Sequence, residues 1–133
     1  MTESINWDEV EEYWLEEADN DLKVAANLFE REDYSYSLFF GHLALEKLLK
    51  AYYVKQIRQH APLIHNLERL AVSAGLELSD DQKESLIKIS TFNIEARYPD
   101  IRKSFRKLCT KEFTTKELDE IKKVYQWVKS KMK

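Results

Sequence analysis

Residues 39–53 read FFGHLALEKLLKAYY, and their pattern decides the fold class. His42, Glu46 and Lys50 recur every four residues, so on an α-helix they form one polar stripe, while nearly every other position is aliphatic or aromatic. At 100° per residue, Leu38, Leu45, Leu48, Leu49 and Tyr52 fall on one side, and Phe40, Leu43, Ala44, Ala51 and Val54 toward the other. A helix apolar nearly all round is either the central member of its bundle or is shared between its own core and a second chain. The stripe spans about 80° of the helix. On solvent, a Glu46–Lys50 pair contributes only about 0.2–0.5 kcal/mol. Buried at an interface, Glu46 needs a cation and Lys50 an anion. Spacing alone leaves both readings open.

Upstream, Trp7, Val10, Trp14, Ala18, Leu22, Ala25 and Phe29 follow helical spacing, with Glu9, Glu12, Glu16, Asp19 and Lys23 on other faces. This predicts a first helix over about residues 6–31 and, after REDYS, a second from Tyr34 to His60, where Pro62 disfavours continuation. Two long helices joined by so short a turn pack antiparallel. HNLERLAVSAG predicts a short third helix closed by Gly75. Ser79 and Gln82 form a capping-box pattern for a fourth, running to about Ala96. RYPDIRKSFRKLCTKEF has no clean period and reads as an ordered loop with one helical turn around Ile101 to Leu108. Thr114 and Glu117 repeat the capping-box spacing ahead of a last helix marked by Leu118, Ile121, Val124, Tyr125, Val128 and Met132. The expected architecture is all-α, an up-and-down bundle of four to five helices.

Composition agrees. At 133 residues the chain has the length of one domain, 1–133, and its two glycines and two prolines leave little material for tight β-turns. The single cysteine, Cys109, allows no intrachain disulfide and no cysteine metal cluster, which fits a reducing compartment. The acidic first residues do not resemble a secretory signal and no run is long enough for a membrane span, so a soluble, cytoplasmic protein with no membrane partner is expected. Residues 1–33 hold twelve Asp/Glu against two Lys/Arg, whereas residues 34–133 hold twelve against nineteen. Either the basic part meets an anionic ligand, or the two parts face each other within one bundle.

HLALEKLLKAYYV at 42–54, APLIHNLERL at 61–70 and ARYPD at 96–100 together resemble the HEPN domain, a small helical family linked to nucleotide binding. With the leading WLEEADNDLKVAANLFEREDYSYSLFFG the resemblance covers nearly the whole chain in order. It implies a helical bundle, usually a homodimer, and frequent pairing with a separate minimal nucleotidyltransferase in a toxin-antitoxin type system. It also implies that His42, Glu46 and Lys50 and the segment around Arg97 line a dimer cleft, with Glu46 orienting Arg97 and His42 alongside. Many members resemble one another in being metal-independent ribonucleases, with an Arg followed several residues on by a His. Here Arg97 holds the Arg position, but YPDIRKSF follows it without a histidine.

The candidate phosphate- or nucleotide-binding residues are Arg97, Tyr98, Arg102 and Lys103, helped by Arg106 and Lys107: forked or flexible cations for phosphate, with Tyr98 and Phe105 able to stack a base. As a structural residue, Arg97 would instead pair with Glu46 or Asp100. No cofactor and no metal site is expected. The leading expectation is a nucleotide- or RNA-phosphate-binding module. A ribonuclease using Arg97 with His42 as acid/base, and a purely structural interaction domain, are the alternatives. His65 reads as a local cap or packing residue, and His60 as an exposed helix-end residue favoured by the dipole.

Overall fold

The computed structural model describes residues 4–133. Six α-helices follow one another: α1 (Trp7–Glu30), α2 (Tyr34–Ile57), α3 (Leu67–Ser73), α4 (Asp80–Ser90), α5 (Pro99–Leu108) and α6 (Lys111–Lys131), with a 3-10 turn at Ile94–Ala96. No strand occurs among the described residues.

α2 is the central member. It packs against α1, α3, α5 and α6, and Leu38, Leu45, Leu48 and Leu49 on one side and Ala44, Ala51 and Val54 on the other are fully buried within the single chain. Most of its apolar surface is therefore covered by its own bundle, with Phe40, Leu43 and Tyr53 left half-buried. At Gly41 the helix comes so close to α6 that an added Cβ would lie 2.9 Å from Ile121 Cδ1. Gly41→Leu is accordingly expected to cost about 1–3 kcal/mol through overpacking, read from a urea midpoint.

α1 and α2 are antiparallel, joined by a turn in which Glu32 takes the left-handed backbone conformation (φ 65°). Ion pairs mark the register: Lys47 with Asp21 at 2.7 Å, Lys55 with Glu11 at 4.0 Å and Arg58 with Asp8 at 2.9 Å, each step up α2 meeting a step down α1. Asp19 faces α6, accepting a hydrogen bond from the Tyr125 hydroxyl with Lys129 beside it at 3.4 Å. Four of the nine carboxylates of α1 are thus met by cations of α2, its C-cap Arg58 and α6.

Four boundaries differ from expectation. α2 stops at Ile57 because Arg58 adopts the left-handed conformation while its N–H still bonds to Val54. α4 ends at Ser90, earlier than Ala96, because the chain turns there to bury Phe92 and Ile94. The expected loop is a ten-residue helix, α5, started by Pro99 in its first turn. α6 begins at Lys111: Thr110, rather than Thr114, accepts the hydrogen bond from the Phe113 N–H. Thr114 and Glu117 are buried inside the helix, the latter in an ion pair with Lys88 at 3.1 Å. Counting α5 brings the bundle to six helices, above the expected four to five. Thr110→Ala should remove about 1 kcal/mol of stability, measurable by urea denaturation.

Candidate functional site

The polar stripe of α2 is buried. Glu46 is 6 % exposed, and its carboxylate sits among three side chains, those of Lys50, His65 and His42. Lys50 Nζ donates to Oε2 at 3.2 Å and lies 5.2 Å from the centroid of the Trp14 ring on α1. His65, from the segment between α2 and α3, places Nδ1 3.3 Å from both carboxylate oxygens. His42 Nε2 is 3.7 Å from Oε1. Lys50 therefore supplies the cationic partner that a buried carboxylate requires, and His65 lies within hydrogen-bonding distance of both carboxylate oxygens.

Arg97 forms no ion pair with Glu46 or Asp100 among the described residues. His65 takes the place expected of it. His65 also does not cap α3; that is done by Asn66, whose side chain accepts the Arg69 N–H at 3.0 Å. Nineteen residues separate His65 from Glu46, and no local spacing rule links them. His60 lies beyond the end of α2, with its ring edge-on to Trp7 at 4.9 Å.

His42 is fully enclosed, and neither ring nitrogen has a well-formed hydrogen bond. Burial pulls its pKa below the usual 6.5, with nearby Glu46 opposing the shift, so the ring is neutral at pH 7. Near and below pH 6.5 the unfolded chain binds a proton here that the folded chain refuses, so stability falls as the medium becomes more acid. Denaturation at pH 7.5 and 5.5 should show this loss in the natural protein and a smaller one in His42→Gln. Cys109 is inert for a related reason: burial, partly offset by Thr114, pushes its thiol up to about 11, leaving little thiolate at neutral pH.

The second constellation lies on α5. Arg97 follows the 3-10 turn in extended backbone, and Tyr98 stands 77 % exposed at the N-cap of the helix. At 100° per residue, Ile101, Phe105 and Leu108 share one side of α5, with Arg102, Lys103 and Arg106 opposite. Phe105 anchors the helix against Phe92, with ring centroids 5.5 Å apart. α5 buries no residue completely. On the outer side, Pro99, Asp100, Arg102, Lys103 and Arg106 line a shallow groove of about 400 Å³. None of Arg97, Arg102, Lys103, Arg106 and Lys107 forms an ion pair among the described residues. Segment 97–107 thus carries five cations against one carboxylate, Asp100.

A family model described as the HEPN domain matches residues 11–131, both constellations included. The chain belongs to the HEPN family. Its fold is similar to a crystal structure of TT1696 from Thermus thermophilus, with a TM-score of 0.77 and 23 % identity over 91 % of this chain and 97 % of that one. No curated protein matches it. Among the described residues of this HEPN domain, no helix is long and apolar enough to cross a membrane, and no group of three side chains is placed to hold a metal ion.

Proposed function

We propose that this HEPN protein acts by binding, its α5 face holding the phosphates of a nucleotide or RNA. The observation that carries this is the row of cations on α5, left without carboxylate partners while the cations of α2 are paired. Unpaired Arg and Lys along one exposed helix face keep their charge available for phosphate oxygens, and exposed Tyr98 offers a ring for a base. Titration with a fluorescent single-stranded RNA should give saturable binding, weakened at least tenfold in Arg102→Glu/Arg106→Glu. Equal affinity in that variant would sink the reading.

The proposal includes a homodimer and a minimal nucleotidyltransferase partner, in a toxin-antitoxin type pair. Tyr98, Ile101 and Leu108 remain substantially exposed along α5, which supports an uncovered edge there for a second copy. Light scattering at micromolar concentration should give twice the chain mass, and Ile101→Asp/Leu108→Asp should give the monomer. A natural protein that is monomeric would remove the dimer. Failure to copurify with a nucleotidyltransferase encoded beside it would remove the partner.

One observation favours a second, enzymatic reading. His65 is exposed while its Nδ1 rests on a buried carboxylate, the arrangement of a general acid/base whose other nitrogen faces outward. His42, enclosed on all sides, has no such access. A metal-independent ribonuclease would then use His65 with Arg97. Cleavage that survives both His65→Ala and Arg97→Ala contradicts this reading.

A further inference from the structure

We propose that the cavity between the α1–α2 turn and the C-terminal end of α5 is a pocket for a guanine base. This rests on the reading of α5 as a phosphate-binding face and adds the base to it. The cavity, open to solvent on one side, measures about 360 Å³, and its walls include Glu32, Asp33, Ser35, Tyr36 and Arg106.

One wall donates hydrogen bonds. Asp33 stands at the N-cap of α2 without a side-chain bond to the first turn, so the N–H groups of Tyr34, Ser35 and Tyr36 have no intrahelical acceptor. Ser35 is 7 % exposed and lines the cavity, and its hydroxyl has no hydrogen-bond partner among the described residues. That hydroxyl opens onto the cavity and is free to donate to a ligand that brings an acceptor. The adjoining wall accepts hydrogen bonds, through the carboxylates of Glu32 and Asp33. The nearest cation to Asp33 is Arg31, at 3.7 Å.

Two carboxylates repel a bare phosphate, and the helix N-terminus repels a simple cation. A ligand that fits both walls presents an acceptor beside a pair of donors. The Watson–Crick edge of guanine does so, with O6 as acceptor and N1–H and N2–H₂ as donors. Adenine and uracil each present one donor position on that edge, and the cytosine edge pairs one donor group with two acceptors. Tyr36, partly exposed at the rim, supplies a stacking face. Arg106 lines both this cavity and the groove of Arg102 and Lys103, so a phosphate attached to the base falls on the α5 cations. The guanine belongs either to a free nucleotide or to an RNA strand.

Isothermal titration of the full chain with GMP, IMP and AMP tests the assignment. GMP should bind at least about tenfold more tightly than AMP, with IMP, which lacks the N2 amine, in between. Ser35→Ala and Asp33→Asn should each move the GMP-to-AMP ratio toward one; partial unfolding would lower both affinities equally and leave the ratio intact. Arg106→Ala should weaken both ligands. A strand with one internal guanosine that binds at least tenfold more tightly than GMP assigns the base to RNA, and equal affinity assigns it to the free nucleotide. Equal binding of GMP and AMP overturns the guanine pocket while leaving the phosphate face standing. Absence of binding by all three nucleotides and by poly(A) and poly(U) at millimolar concentration overturns both.

Discussion

Glu46→Ala is expected to destabilise the protein by about 3–5 kcal/mol, the usual cost of leaving one member of a buried ion pair alone. Lys50 is almost as enclosed as Glu46 and lies against Trp14, so without the carboxylate its ammonium is held in low dielectric with no anion within ion-pair distance. His65 loses its partner in the same step, and with it the tie between the α2–α3 segment and α2. Urea denaturation should show the loss as a lower midpoint at unchanged slope. Replacing both charges, in Glu46→Leu/Lys50→Met, should cost much less than Glu46→Ala, because no buried charge then remains unpaired. A single variant within 1 kcal/mol of the natural protein would return the stripe to an ordinary surface pair, for which about 0.2–0.5 kcal/mol is typical.

Leu45→Ala should cost about 2–5 kcal/mol, since Leu45 is fully buried in the helix that the rest of the bundle surrounds. The effect should not depend on protein concentration, because Leu45 packs entirely within one chain. Phe105→Ala should cost less, since Phe105 is only partly buried and α5 is the most peripheral helix. A Leu45→Ala effect that disappears at high protein concentration would place that side of α2 at a subunit interface instead.

α1 and α2 were legible in the sequence because apolar positions such as Trp14, Ala18, Ala25, Leu45 and Leu49 repeat over many turns, and periodicity outweighs local noise at that length. α5 was not, although Ile101, Phe105 and Leu108 carry helical spacing. Five cations and a proline surround those three residues, and Pro99, a residue that breaks a helix interior, is at home in the first turn. The start of α6 was misplaced because two threonine patterns compete there; Thr110 caps the helix and Thr114 belongs to its buried side. Within the candidate site, the stripe His42, Glu46, Lys50 and the cations near Arg97 could be read from local pattern. The meeting of Glu46 with His65 could not, since it depends on how the α2–α3 segment folds back. The same holds for the cavity at the start of α2, which needs Arg106 brought to Ser35 by the packing of α5.

The salt dependence of single-stranded RNA binding tests the α5 phosphate face most directly. Each phosphate contact to a single strand contributes about −0.7 to the slope of log K against log salt, so three to four α5 cations should give a slope of about −2 to −3. Arg102→Ala/Lys103→Ala should make that slope less negative by about 1.4. No saturable binding, or a slope unchanged in the double variant, would contradict the assignment of α5 as the phosphate-binding face.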